Sequence, residues 1–325
     1  MRIMKDSGIE WIGEIPESWD TVATKHLFQI VSGATPKSEN PDFFDGDITW
    51  ITPADYKTDD VYVSSGRRNI TELGLNSCNT SLIPSGSIIF SKRAPIGSVA
   101  INNVELCTNQ GCLACIPQIE LIIKFYYYFM AVYTEQYNLL GSGTTFKEIS
   151  ATSFSDFKMT YPSITEQQAI SAYLDRQCAH IDNIIEKTKA SIEEYKKLRQ
   201  AVITQAVTKG VRGDRAMKDS GIEWIGEIPE EWSATKIKWL LTEQKERSET
   251  GEEEPLSMSQ KFGIIPTKEM DIVPNMASSF VGAKIVEIGD LVFNKLKAHL
   301  GVFAVSSYSG LVSPDYAVYH ENNEY

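Results

Sequence analysis

The chain has 325 residues, enough for about two domains, and its 42% apolar content is that of a globular protein rather than a disordered one. A formal net charge of −12 at pH 7 argues against a strongly basic nucleic-acid binder, although binding needs only a local basic surface. No apolar run approaches the roughly 18 residues of a membrane span, since Leu121–Tyr133 is interrupted by Lys124.

The polar start Met1-Arg-Ile-Met-Lys-Asp carries no leader pattern, so a cytoplasmic location without a membrane partner is expected. Residues Met4–Trp19 read MKDSGIEWIGEIPESW. Residues Met217–Trp232 repeat this with Glu231 in place of Ser18. The period is far longer than the roughly 20–50 residues of a solenoid repeat, so the pattern is that of a duplicated module. Trp11, Ile12, Ile15, Pro16 and Trp19, with their partners Trp224, Ile225, Ile228, Pro229 and Trp232, are a large apolar load on a short segment. They are expected to pack where module meets helix; a DNA-contacting role for the tryptophans is the alternative.

From Thr21 to Pro162 the chain reads as short strands and turns. Asp47–Ile51 alternates in period two. Ser87–Phe90, Val99–Ile101 and Cys112–Ile116 are short apolar runs bounded by Pro-Ser-Gly, Pro-Ile-Gly and Asn-Gln-Gly. One helix, rich in Tyr and Phe, is expected near Ile119–Leu140.

From Thr165 to about Thr208 there is neither Gly nor Pro. Ser163 or Thr165 can cap the start, Thr165 having Gln168 in capping-box register. Leu174, Ile181, Thr188, Tyr195 and Val202 recur every seventh position, and Cys178, Ile185, Ile192, Arg199 and Ala206 form the offset series. This is the seam of a coiled coil some 65 Å long at ~1.5 Å per residue, ended by Gly210 and Gly213. Its interface residues are Leu174, Ile181, Ile185, Ile192, Tyr195 and Val202. An ordinary core helix is the alternative. So long a helix needs a partner along its length, and self-association through it is expected.

After the second copy of the repeat, Ser233–Tyr325 again reads as strands and turns. Gly86-Ser-Ile-Ile-Phe-Ser-Lys92 is echoed by Gly289-Asp-Leu-Val-Phe-Asn-Lys295. The second module reads as incomplete, with no second long helix. The expected fold is α+β: duplicated mixed α/β modules joined by a long coiled-coil helix, divided at residues 1–163, 164–213 and 214–325.

The Trp11-Ile-Gly-Glu-Ile-Pro-Glu-Ser-Trp19 entry, its duplication, the Pro162-Ser-Ile-Thr-Glu-Gln-Gln-Ala-Ile170 helix start and the module–helix–module order resemble the specificity subunit of type I restriction-modification systems. The resemblance implies two target recognition domains on double-stranded DNA, each reading half of a bipartite site, with antiparallel long helices setting the spacing. It implies no catalysis by this subunit, no cofactor, and docking to methyltransferase (modification) and restriction (motor and nuclease) subunits. The apparent truncation departs from that pattern and bears on whether one chain reads a full site.

Candidate DNA-binding residues follow from local chemistry. Lys92 and Arg93 sit at a strand end before Pro95-Ile-Gly97, with Lys295 and Lys297 as second-half counterparts; Arg can grip guanine bidentately. The loop Gly141–Lys147 offers Thr144, Thr145 and Lys147 to a phosphate backbone. Tyr56 and Lys57 end the Trp50–Lys57 segment, where hydroxyls and Asp55 can read base edges. Solvated or capped turns are the alternatives throughout. Asn40-Pro-Asp-Phe43 lacks the second proline of an adenine-methyltransferase motif and a glycine-rich cofactor loop. Cys112-x-x-Cys115 lacks a second pair at zinc spacing, the four histidines form no triad, and no Walker loop is present. No catalytic or metal site is expected. A coiled-coil interaction scaffold with modules for non-DNA ligands is the competing function. A self-contained methyltransferase would need a cofactor motif that the chain does not show.

Overall fold

The structure, a computed structural model, describes residues 2–57, 60–93, 95–143, 147–259, 261–270, 279–296 and 301–322. Two compact units, Met1–Ile192 and Glu193–Tyr325, divide within a single long helix. Among the described residues no helix is long and apolar enough to cross a membrane.

In unit 1 the short apolar runs assemble into a five-stranded sheet ordered Phe28–Ser32, Cys112–Pro117, Ile88–Ser91, Val99–Asn102 and Tyr62–Val63. These strands are apolar at nearly every position because both faces are covered. Ile88, Phe90, Val99, Leu113 and Cys115 point to one face, beneath Phe125, Tyr126 and Met130 of the helix Ile123–Val132. Ile89, Ala100, Cys112 and Ala114 point to the other, packed with Ile51, Tyr56 and Leu106. The turn after Ser91 depends on Gly97, whose φ of +95° is the left-handed region and whose added Cβ would lie 2.8 Å from Thr134 Cγ2.

The single helix expected near Ile119–Leu140 is two, Ile123–Val132 and Thr134–Leu140. Tyr133 (φ −94°, ψ 27°) leaves helical geometry between them. Tyr137 and Phe154 thereby turn their rings onto Phe90, with centroids 4.8 and 4.4 Å away.

The long helix runs unbroken over Ile164–Lys209, 46 residues. Ser163, rather than Thr165, caps it: Ser163 Oγ accepts the Glu166 amide N–H and donates to Glu166 Oε2, both at 3.3 Å. Its first turns are docked on unit 1. Buried Gln167 accepts the Ile122 N–H at 3.0 Å and donates to the Pro162 carbonyl at 2.9 Å. Asp175 takes Lys124 at 2.8 Å and the Tyr128 hydroxyl at 2.7 Å. Beyond this the heptad residues stand in solvent: Ile181, Ile185, Ile192, Tyr195 and Val202 are all exposed, while Leu174 near the start and Ala206 near the end are half-covered.

The two copies of the repeat form the same hairpin, Met4–Asp6 with Glu14–Pro16 and Met217–Asp219 with Glu227–Pro229, in identical register. Ile15 and Ile228 are buried in both. In the first copy Trp11 stacks on Phe157 (4.6 Å) and meets Tyr133 edge-on (4.6 Å), while Trp19 Nε1–H donates to Glu166 at 3.0 Å. Arg2 also grips Glu166. In the second copy Arg215 pairs with Glu231, the one altered position, at 3.0 Å, and Trp224 is 82% exposed. The expectation of junction packing therefore holds for Trp11 and Trp19 and fails for Trp224, whose packing partners have no counterpart among the described residues.

Unit 2 contains a four-stranded sheet ordered Leu241–Gln244, Tyr316–Glu321, Leu291–Asn294 and Phe303–Val305. One of its faces packs Val292 and Val318 against Leu256, Ile264, Val286 and Val312.

Candidate functional site

Loops from distant parts of unit 1 meet at one end of its sheet. Ser91 finishes a strand, and the Lys92 N–H continues the pairing to the Gly111 carbonyl at 2.9 Å. A Cβ on Gly111 would lie 2.9 Å from Pro53, so the Thr52–Asp55 turn rests on this point. Arg67 reaches the same turn, donating to the Ala54 carbonyl at 3.0 Å. On the other side the Lys92 carbonyl accepts the Ile149 N–H at 3.0 Å, and Ser142 and Glu148 exchange two backbone hydrogen bonds of 2.9 Å. A continuous chain of contacts thus ties Arg67, the Thr52–Asp55 turn, Lys92–Arg93 and the paired Ser142 and Glu148 into one cluster on a rigid sheet.

Glu148 organises the cations of this cluster. Its Oε1 takes Lys92 Nζ at 2.9 Å and its Oε2 takes Arg93 Nε–H at 2.8 Å. Partial burial pushes the Glu148 carboxyl up, but the hydrogen bonds and charges of Lys92 and Arg93 outweigh this and hold it below its usual range. The Lys92 side chain is 13% exposed and Arg93 42%. Lys92 is therefore a buttress, and Arg93 presents the accessible part of the pair. Lys57 and Lys147 are exposed. Thr144, Thr145 and Lys297 lie outside the described residues. Lys295 pairs with Glu243 at 3.6 Å, and Lys284, almost buried, takes the same carboxylate at 3.3 Å. The hydrogen bond from Lys284, then its charge and that of Lys295, hold Glu243 below its usual range against slight desolvation.

Tyr56 corrects the expectation placed on it. It is 4% exposed, lies in the apolar cluster beneath the sheet, and its hydroxyl sits 3.7 Å from Cys112 Sγ; it is a core residue, not a surface reader. Asp55 is likewise spent on its own turn, accepting Thr52 N–H (2.8 Å), Thr52 Oγ1–H (2.7 Å) and Arg67 N–H (3.0 Å). Cys112 and Cys115 point to opposite faces of one strand, so they cannot share a metal; burial pushes the Cys112 thiol up to about 12 and raises Cys115 further. Among the described residues no group of His, Cys, Asp or Glu is arranged to hold a metal ion.

Sequence reasoning missed Glu148 and the exposed Arg67. Of the adjacent Arg67 and Arg68, Arg68 is occupied over the Phe44 ring at 3.9 Å and with Asp45 at 3.1 Å, leaving Arg67 as the outward member. Nothing local in the sequence marks Glu148 as the partner of residues more than fifty positions upstream.

Comparison with known proteins adds the lineage. The family described as "Type I restriction modification DNA specificity domain" matches residues 16–194. The type I restriction enzyme MjaIX specificity subunit of Methanocaldococcus jannaschii is 35% identical over 190 residues, 58% of this chain and 43% of that protein. The HindI specificity subunit of Haemophilus influenzae is 28% identical over 191 residues, 57% of this chain and 39% of that protein. The chain thus spans less than half the length of these relatives. A solved structure from a study of complex assembly and conformational transition of the type I R-M system shares the fold, with a TM-score of 0.51 and 23% identity over 61% of this chain and 47% of that one.

Proposed function

The chain belongs to the type I restriction-modification DNA specificity family, and from that premise we propose that it is a non-catalytic, cytoplasmic DNA-recognition subunit. Residues 1–163 and 214–325 act as two target recognition domains and 164–213 as the linker between them. Each domain reads one half of a bipartite duplex site. Methyltransferase and restriction subunits dock on the assembly and carry the chemistry. The exposed heptad face of the long helix takes a second helix, because so much apolar surface is costly to leave in water.

The observation that carries this reading is the loop cluster of unit 1. In an acidic chain, affinity for DNA requires cations gathered on one face, since phosphate neutralisation supplies most non-specific binding. Lys57, Arg67, Arg93 and Lys147 are carried on loops tied together at one sheet end. We assign Arg93 to a base edge, because Glu148 holds its Nε and so orients the guanidinium. Lys57, Lys147 and, in unit 2, Lys295 are assigned to phosphates. The test is selection of duplexes from a random library by the chain together with a family methyltransferase subunit. Enrichment of a defined half-site supports the reading. Capture of the protein partner with no enrichment, at low salt as at high, refutes it in favour of an interaction scaffold.

A further inference from the structure

The turn Asn109-Gln110-Gly111 joins the strand Cys107–Thr108 to the strand Cys112–Pro117, at the same sheet end as Arg93. Hydrogen bonds fix it on three sides. The Asn109 N–H donates to the Ile51 carbonyl at 2.9 Å, the Asn109 side-chain oxygen accepts the Gly111 N–H at 2.9 Å, and the Gly111 carbonyl accepts the Lys92 N–H at 2.9 Å. Gln110 stands at the tip and is exposed. An exposed glutamine ordinarily samples many rotamers in water. Here the Thr35 hydroxyl donates to Gln110 Oε1 and restrains the amide.

Thr35 is itself held in place. Its neighbour Ala34 donates its N–H to the Thr108 carbonyl at 3.0 Å and accepts the Trp50 Nε1–H at 3.2 Å. Gly33 lets the two backbones close on each other, since an added Cβ would lie 2.2 Å from the Thr108 carbonyl oxygen. With the Thr35 bond made, one Oε1 lone pair and both Nε2 hydrogens of Gln110 remain; among the described residues nothing accepts from Nε2. An acceptor and a donor side by side on a rigid turn match the N6 amino group and N7 of adenine in the major groove.

We propose that Gln110 is a second base reader of unit 1, specific for adenine, with Thr35 as its positioning residue; this rests on the DNA-recognition role given above to the loop cluster. Ser91 pairs with Cys112, and the bond from Lys92 to Gly111 prolongs that pairing by one residue. Neighbouring strands lie ~4.8 Å apart, so Arg93 and Gln110, each one residue further along, depart from points about one to two base-pair steps of ~3.4 Å apart. The half-site of this unit therefore holds an adenine within about two base pairs of the guanine that Arg93 grips. Thr35 does for Gln110 what Glu148 does for Arg93: each ties down one atom of the reading group and leaves the others accessible.

The test is sequencing of duplexes selected from a random library by the full chain with a family methyltransferase subunit, run in parallel for the wild type and its variants. The wild type should enrich a half-site with an adenine within two base pairs of the guanine that Arg93→Ala relaxes. Gln110→Ala should lower the preference for that adenine by about five- to 150-fold and leave the other positions and the salt slope as they were. Gln110→Glu should turn the position toward cytosine, whose N4 amino group a carboxylate accepts. Thr35→Val should relax the same position alone, at an unchanged melting temperature, and Thr35→Ser should restore it. Equal weakening on every duplex in Gln110→Ala would make the residue a phosphate contact, and a wild-type motif in that variant would make the Thr35 bond a tie between loops. Either result overturns the proposal while the DNA-recognition role stands. No enrichment by the wild-type chain defeats that role and the proposal together.

Discussion

Two identical tryptophans in identical hairpins should respond very differently to the same substitution. Trp11 is half-covered, stacked on Phe157 and edge-on to Tyr133, each at 4.6 Å. A tryptophan buries about 150–250 Å² when enclosed; half of that at about 25 cal/mol per Å² gives roughly 2–3 kcal/mol. Ring-on-ring geometry adds about 0.5–1.5 kcal/mol, so Trp11→Ala should cost about 2.5–4.5 kcal/mol. Trp224→Ala removes a side chain that is 82% exposed and should stay within about 0.5 kcal/mol. For a unit of this size each kcal/mol moves the melting temperature by about 2–4 °C, so calorimetry should show the unit 1 transition falling by roughly 5–18 °C in the first variant and neither transition moving in the second. Equal shifts in both variants, or none in Trp11→Ala, would refute the assignment of packing partners and the comparison of the two units built on it.

The loop cluster makes separable predictions. Arg93→Ala should cost about 1–3 kcal/mol on the cognate half-site and relax the preference there, whereas Lys147→Ala should weaken all duplexes alike and flatten the salt dependence by about one unit of slope; anisotropy titrations over a salt series distinguish the two, and wild-type behaviour in both would move the DNA face elsewhere. Because the folded-state carboxyl of Glu148 lies below its usual value, the clamp's stabilisation is present in full above the ordinary Glu range near pH 4.3 and is lost as pH falls through the depressed value. Glu148→Gln should therefore flatten the acid limb of a pH–stability profile, and an unchanged limb would show that the Lys92 and Arg93 contacts contribute nothing in solution. Ile185→Asp, on the exposed helix face, should leave the helical circular dichroism unchanged while abolishing self-association in sedimentation; a wild type that stays monomeric at every concentration removes helix pairing between copies.

Much of the architecture was legible because its signals are local. A run of 46 residues without Gly or Pro, with apolar positions at heptad spacing, marks a helix from the sequence alone. Turn residues such as Gly97 demand their own backbone geometry, and the echo of Gly86–Lys92 in Gly289–Lys295 marks equivalent strands before any coordinates exist. The break at Tyr133 was hidden because Leu121–Tyr133 is apolar apart from Lys124 and runs on into helix-compatible residues, and nothing in its periodicity shows where one helical axis gives way to another.

The candidate site was legible by type of residue but not by role. Lys92 and Arg93 are adjacent and equally charged, yet Glu148 draws one inside and leaves the other accessible. Tyr56 carries a polar group at a strand end, as a reader would, but the strand of Cys112 passes beneath it and makes it core. Identical words in the chain acquire different surroundings in the same way: Trp11 meets an aromatic shelf brought from residues 129–157, and Trp224 meets solvent. Propensity, periodicity and turn chemistry are properties of neighbours along the chain, so they could be read directly. Burial and charge pairing are properties of neighbours in space, and only the folded arrangement decides them.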